Sequence, residues 1–367
     1  MKHVALLIPS IDRIGGAERQ VLVLAEGLAA RGWRITVVAL TGSGGTAAAA
    51  LRAHGVGYIS LKMRKGLADP RGLWRFVRWA SKDRPDIVHG HLPHAACFAR
   101  WSRLLVSGTA VLDTVHTANT GGLGRRWGYR ISDRLTDVVT AVSNAAADAY
   151  LAQNMVNSRH LRVIPNGIDL TQWTRAPHTN EGLRAKLGVR AEFLWLAAGR
   201  MEPVKDYPTL LHAIAMLDEP VHLAIAGSGK CYEAIRDLAD ELHIRSRISF
   251  LGFQDDLKQW MLAANGFVLS SLWEGLPMAI MEASACELPI VATDVSGVRE
   301  VVLPGETGFL APSADPAALA DAMRKLAHMS AKQRTAMGAV GRRFIATRYS
   351  LGYVLDRWES IYNELLA

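Results

Sequence analysis

What most constrains this chain is a rhythm. Short uninterrupted apolar runs recur, each followed by a turn and then by a stretch of helical period. Such runs occupy 4–8, 35–40, 56–61, 87–88, 111–115, 138–142 and 161–164 in the first half, and 193–198, 221–226, 248–251, 267–269 and 289–292 in the second. Continuous apolar runs of this length read as strands buried on both faces. Their alternation with helices predicts an α/β protein with parallel sheets. At 367 residues the chain exceeds one ordinary core and predicts two domains with a crevice between them.

The segment with the most chemistry is 270–283, SSLWEGLPMAIMEA. A strand ends in small polar residues, Glu274 and Gly275 form a loop, and Pro277 is expected at the first helical position, where its missing N–H costs nothing. The remaining first-turn amides and the helix dipole suit an anion. Glu274 and Glu282 supply carboxylate acceptors of the kind a polyhydroxylated ligand needs. By physics alone they are equally well a solvated turn residue and a helix-face residue.

The spacing of Glu274 and Glu282, with Gly275, Leu276, Pro277 and Ala283, resembles the E-x7-E signature of retaining glycosyltransferases of family 4. The resemblance implies the GT-B fold: two Rossmann-like domains with parallel sheets facing across a central cleft, and a C-terminal helix crossing back to the first domain. The expected division is 1–170, an acceptor-side domain completed by about 350–367, and 171–349, the nucleotide-sugar donor domain. The turn Pro165-Asn166-Gly167-Ile168-Asp169 resembles the family's closing turn of the first half, and a linker is expected over about 170–183.

By the same resemblance, Glu274 contacts hydroxyls of the donor sugar and Glu282 holds the ribose. Arg200 and Lys205, on a loop at a strand's carboxyl end, are placed to neutralise a diphosphate and the charge that grows as it leaves. Gly227 and Gly229 permit a close turn near phosphate or sugar, and Phe253 borders the nucleobase. Gly15 and Gly16 let the backbone approach a ligand and resemble the family's N-terminal loop; they do not form G-x-G-x-x-G. His116, at the end of a strand, is expected to reach the donor sugar, although Thr117 follows where the family usually has Asp, Gly or Asn; Asn119 is a substitute. The catalytic set is therefore His116, Arg200, Lys205 and Glu274.

The net charge of +8 points to an anionic partner: a nucleotide, nucleic acid or a lipid surface. Arg71, Arg75, Arg78 and Lys82 share one helical face beside Trp74 and Phe76, with Lys62, Arg64 and Lys65 upstream. Arg125, Arg126, Trp127, Tyr129 and Arg130 form a second basic-aromatic cluster. The pattern suits peripheral contact with an anionic membrane, or an ordinary surface helix packed on its sheet. No recognition module accompanies the charge, so nucleic acid is not expected. His89, His91 and His94 look like metal ligands on paper, but they read better as strand-end and pocket residues. Cys97, Cys231 and Cys286 are scattered and read as buried thiols in a reducing compartment. With no signal-peptide pattern and no apolar span of roughly 18 residues, the expected location is cytoplasmic, with peripheral contact at the inner membrane.

The expected reaction is retaining transfer of a hexose or N-acetylhexosamine from a nucleotide-diphosphate sugar, a UDP-sugar first, to a saccharide or polyprenyl- or lipid-linked saccharide in surface polysaccharide or lipopolysaccharide assembly. No cofactor and no metal are expected, because Arg and Lys supply the charge and no convincing Asp-x-Asp site exists. The alternatives are a GDP-mannose-dependent mannosyltransferase, a UDP-sugar epimerase of the same fold and a non-catalytic sugar-nucleotide-binding scaffold. An NAD-dependent oxidoreductase is disfavoured by the missing fingerprint. No oligomeric state follows from the residues.

Overall fold

The computed structural model describes residues 1–12, 14–64, 69–173, 181–186, 193–218 and 220–367. The chain divides into two compact units, one of 1–167 with 351–367 and one of 168–350. Lys65 and much of the expected linker, 174–180, lie outside the described residues.

The first unit runs β1 (His3–Ile8), α1 (Gly16–Ala30), β2 (Arg34–Ala39), α2 (Gly45–Ala53), β3 (Gly57–Ser60), α3 (Pro70–Asp83), β4 (Ile87–His91), α4 (Leu92–Ser102), β5 (Ala110–Val115), α5 (Leu123–Ser132), β6 (Val138–Ala141), α6 (Asn144–Ala152) and β7 (Leu161–Val163). The second runs α7 (Glu181–Lys186), β8 (Phe193–Ala198), α8 (Tyr207–Ala215), β9 (Val221–Ala226), α9 (Tyr232–Glu241), β10 (Ile248–Gly252), α10 (Leu257–Ala263), β11 (Gly266–Leu269), α11 (Met278–Ala285), β12 (Ile290–Thr293), α12 (Ser296–Arg299), β13 (Gly308–Ala311), α13 (Pro316–Ala327) and α14 (Ala331–Tyr349). The last helix, α15 (Leu351–Leu365), returns to the first unit.

Seven parallel strands form the first sheet in the order β3-β2-β1-β4-β5-β6-β7. Alternate strand residues supply two cores. Val4, Leu6, Ile8, Val37 and Leu112 pack with α1, α2 and α15, whereas Ala5, Leu7, Val38, Val88 and Val111 pack with Phe76 and Ala80 of α3 and Ala95 and Ala99 of α4. Tyr129 of α5 joins the second layer through Ala96 and Val115. Each fully buried Leu, Ile or Phe contributes about 1.5–3 kcal/mol, which is why strands buried on both faces need no polar alternation. Within the α4–α5 layer, Arg100 and Asp113 are wholly buried, 2.7 Å apart and bidentate, and Arg100 also donates to the Tyr129 carbonyl. Helix starts follow local chemistry. Asp69 accepts from Arg71 N ahead of Pro70, and Ser143 accepts from Ala146 N.

The second sheet has six parallel strands in the order β10-β9-β8-β11-β12-β13 around a core that includes Trp195, Leu210, Ile225 and Val268. β13 is not among the strands read from the sequence. Its four residues, GFLA, contain no β-branched side chain and gain strand character from pairing with β12. Two further differences concern boundaries and thiols. Pro277 is the N-cap of α11, with Met278 first in the helix, and Cys97 and Cys231 are only partly buried while Cys286 is buried.

Candidate functional site

Each sheet has one point where neighbouring strands are not reached in sequence and the connections diverge: β8 beside β11 in the second unit, β1 beside β4 in the first. Open α/β sheets bind ligands outside the carboxyl ends of the strands at such points. The expected site residues follow these strand ends.

In the second unit the loop after β8 carries Gly199, Arg200 and Lys205, and the loop after β11 carries Ser270 to Leu276. The two are tied together. Leu272 N donates to Val204 O at 2.8 Å and Ser270 Oγ to Lys205 O at 2.9 Å. Lys205 Nζ lies 2.5 Å from Glu274 Oε1, and Ser271 Oγ donates to the same oxygen at 2.6 Å. Both charged side chains are mostly buried. Tyr207 OH donates to Gly199 O at 3.1 Å; burial first, and the Glu274 carboxylate second, push its phenol upward, so it remains a donor. Arg200, on the same loop after β8, is exposed.

Pro277 O accepts from Ile280 N and Met281 N, so α11 is anchored one residue later than expected from sequence. The amides of Met278 and Ala279 point out of the helix N-terminus, where no earlier carbonyl of the helix can reach them. Glu282 lies on this helix and is 6% exposed. The loop also depends on glycine. A Cβ on Gly297 would stand 2.4 Å from Gly275 O, so α12 approaches the 274–275 backbone too closely for any side chain.

The neighbouring strand ends are laced in the same way. Gly227 N donates to Gly252 O at 2.8 Å, Gly199 N to Ala226 O at 3.0 Å and Met201 N to Ser228 O at 2.9 Å. Gly227 has φ +146°, and a Cβ there would fall 2.0 Å from Gly199 O; one on Gly229 would fall 2.4 Å from Met201 O. Phe253, directly after β10, is 69% exposed. An exposed aromatic at a strand's carboxyl end is a ready stacking surface. Arg200, Lys205, Gly227, Gly229, Phe253, Glu274, Gly275, Leu276, Pro277 and Glu282 thus all belong to one edge of one sheet or to α11 beside it.

In the first unit Gly15 is the N-cap of α1 and Gly16 its first residue. Glu18 turns back to accept from Gly15 N at 3.0 Å, a structural role for the acidic residue of that turn. His116 follows β5. It faces His91 at the end of β4, with His91 Nδ1 and His116 Nε2 3.1 Å apart. Both rings line a small cavity of about 20 Å³ with Gln20, Asn166 and Trp358. Burial lowers His116 to about 4 and His91 well below its ordinary value, so both are neutral near pH 7.

The three histidines read together from the sequence part company. His89 is a core residue, bonded to Tyr362 OH at 2.7 Å and Thr114 Oγ1 at 2.6 Å. His91 lines the cavity, and His94 is exposed on α4, which begins directly after β4 without a loop. Among the described residues no group of three His, Cys, Asp or Glu side chains is arranged to hold a metal. Of the basic face on α3, Arg75 is committed to the Leu61 carbonyl at 2.5 Å, while Arg71 and Arg78 are exposed and Arg78 stacks on Trp74. Ser271, Gly297 and Tyr207 are the supporting residues that sequence patterns did not single out for these roles, whereas His91 is the strand-end and pocket residue that the sequence suggested.

The family model described as Glycosyl transferases group 1 matches residues 180–344, and the model described as Glycosyltransferase Family 4 matches 14–172. A phosphatidyl-myo-inositol mannosyltransferase of Mycobacterium leprae is 31% identical over 343 residues, covering 88% of this chain and 86% of its own. The chain belongs to glycosyltransferase family 4. This glycosyltransferase is also 27% identical over 260 residues to the Escherichia coli UDP-Gal:alpha-D-GlcNAc-diphosphoundecaprenol alpha-1,3-galactosyltransferase, covering 66% of this chain and 67% of that one. Its fold is that of GT-B enzymes. The Anabaena protein HepE, solved with UDP and glucose, superposes with a TM-score of 0.86 at 19% identity, covering 99% of this chain and 100% of its own.

Proposed function

We propose that this glycosyltransferase transfers a hexose or N-acetylhexosamine from a UDP-sugar to a saccharide or lipid-linked saccharide in bacterial surface-glycan assembly, with retention of anomeric configuration. The observation that carries the reading is the Lys205–Glu274 pair at the β8–β11 strand ends, beside the N-terminus of α11. Charge, amide donors and a carboxylate acceptor there match a sugar joined to a diphosphate.

In this reading Glu282 accepts ribose hydroxyls, Phe253 lies against the base, and Gly227 and Gly229 admit the phosphates. Arg200, Lys205 and the α11 amides stabilise the leaving diphosphate without a metal ion. Glu274 binds and orients the sugar rather than forming a bond to it. His116 and the Gly15-Gly16 turn contact the transferred sugar and the acceptor. The bond between the anomeric carbon and the diphosphate oxygen breaks, and its electron pair leaves with the nucleotide. The acceptor oxygen bonds to the same face of that carbon and its proton passes to the departing phosphate.

The UDP-Gal named for the E. coli relative and the UDP of the HepE structure favour uridine. The M. leprae relative, named a mannosyltransferase, favours a second reading in which GDP-mannose is the donor. The diphosphoundecaprenol acceptor of the E. coli relative supports a lipid-linked acceptor.

Contact with an anionic membrane surface belongs to the same reading. Trp74, Trp101, Leu104, Leu105, Leu123, Trp127 and Ile131 are exposed, and all belong to or follow α3, α4 and α5, which cover one face of the first sheet. Between residues 87 and 132 the only carboxylate is Asp113, which is buried against Arg100. Exposed aromatic and aliphatic side chains in a basic field are what an interfacial surface requires. No described helix is long and apolar enough to cross a membrane.

The test is a transfer assay with labelled UDP-glucose, UDP-galactose, UDP-N-acetylglucosamine and GDP-mannose against undecaprenyl-diphosphate saccharides in chelator. An α-linked product from one UDP-sugar supports the reading. Interconversion of UDP-sugars without acceptor would replace it with an epimerase.

A further inference from the structure

His91 ends β4 and His116 directly follows β5, neighbouring parallel strands whose register pairs His91 with Thr114. Their rings meet beyond the sheet edge, with centroids 5.3 Å apart and one nitrogen of each at 3.1 Å. Neutral imidazole carries one N–H and one bare nitrogen, so a contact of this kind requires one ring to donate and the other to accept. The tautomer of one ring therefore dictates that of the other. His91 is itself held from behind. Its ring lies on that of His89 at a centroid distance of 3.9 Å, and His89 is fixed at both nitrogens by Tyr362 and Thr114.

The outer nitrogens, His91 Nε2 and His116 Nδ1, are buried and have no hydrogen-bond partner among the described residues. Both rings line the same small cavity. Unpaired buried polar atoms are costly unless a ligand or water completes them.

We propose that His91 is a positioning residue that holds His116 in a single tautomer, so that the pair offers its cavity one N–H donor and one bare nitrogen. Whichever ring donates across the 3.1 Å contact, the count is the same: one outer nitrogen carries hydrogen and the other does not. That combination is complementary to a hydroxyl group, which accepts one hydrogen bond and donates another. The inference rests on the assignment of His116 to the sugar site.

The experiment is nitrogen NMR on the full chain labelled with 15N-histidine, at neutral pH, for the wild type, His91→Phe and His91→Asn. The His116 signals are identified by their loss in His116→Asn. In the wild type His116 is expected to show one protonated and one bare nitrogen. His91→Phe keeps a ring against His89 but removes the partner nitrogen, and His116 should then average between tautomers. His91→Asn places an amide where Nδ1 stood and should restore a single form.

Turnover of UDP-glucose and GDP-mannose is measured alongside, and His91→Phe should lower kcat/KM roughly tenfold or more, with most activity kept in His91→Asn. An averaged His116 in the wild type, or an unchanged single tautomer in His91→Phe, would overturn the proposal. The wild-type spectrum decides even if His91→Phe does not fold. A His116→Asn enzyme with unchanged kcat/KM would instead remove His116 from the sugar site, leaving the tautomer result intact.

Discussion

Lys205 Nζ lies 2.5 Å from Glu274 Oε1, joining the loops after β8 and β11, and Ser271 Oγ holds the same carboxylate oxygen at 2.6 Å. A mostly buried pair of this kind is one functional unit. Each partner orients the other, and on the proposed reading the lysine's charge lies close to the donor's diphosphate. Lys205→Ala is expected to lower kcat by roughly 100-fold or more, the loss typical of removing a charge-stabilising donor. Glu274→Gln should lose a comparable amount. The double variant should lose much less than the product of the two, because residues that share a contact are not additive. A double-mutant cycle on kcat/KM measures this directly.

Gly227 lies under a second constraint. Its φ is +146°, and a methyl group on its Cα would fall 2.0 Å from Gly199 O, which leaves no room for alanine. Gly227→Ala is expected to destabilise the second unit by about 1–3 kcal/mol, read as a lower melting temperature. Nucleotide-sugar binding should fall with it, since Gly227 packs directly against the Gly199 backbone at the proposed site. Gly182→Ala, in open space on α7, should leave both unchanged.

The buried histidines make the protein sensitive to acid. An unfolded chain protonates each histidine near 6.5, whereas burial lowers His116 to about 4 and holds His91 and His89 well below their ordinary value. Between those values the unfolded state binds protons that the folded state does not. Stability is therefore fully present above about 6.5 and is lost as pH falls toward 4. Moving from pH 7 to pH 5 should cost on the order of 1–2 kcal/mol through His116 alone. Thermal melts across this range should show the decline, and His116→Asn should make it shallower, with His91 and His89 supplying the remainder.

The exposed layer of α3 to α5 makes a separate claim. Trp127→Glu with Leu123→Glu should weaken sedimentation with vesicles containing phosphatidylglycerol while leaving the melting temperature within a degree or two. Arg71→Glu with Arg78→Glu should do the same and reduce the salt dependence of binding. Arg75 is left out because it also holds the Leu61 carbonyl. Equal binding by all variants would remove the membrane from the account.

The parts of the site that were legible in the sequence are those written in contiguous residues. A strand, a glycine loop and a helix start within 270–283 locate Glu274 and Glu282, and Gly199-Arg200 with Lys205 can be read in the same way. The misplacement of Pro277 by one position reflects a cap geometry that composition does not reveal. Contacts made across strands were not legible. His91 and His116 meet only because β4 and β5 are adjacent and in a given register, and Lys205 reaches Glu274 only because β8 lies beside β11. The same holds for α3, where one pattern of basic and aromatic residues yields a buried Phe76 and an exposed Trp74 according to which side meets the sheet.

The most direct test of the central claim is calorimetric titration of UDP and GDP, and then their sugars, into the metal-free protein and into Glu282→Ala. The expected result is binding of UDP and its sugar to the wild type without metal, weakened at least tenfold in the variant by loss of the ribose contact. Binding of neither nucleotide by folded protein, or UDP binding unchanged in Glu282→Ala, would contradict the account of this site.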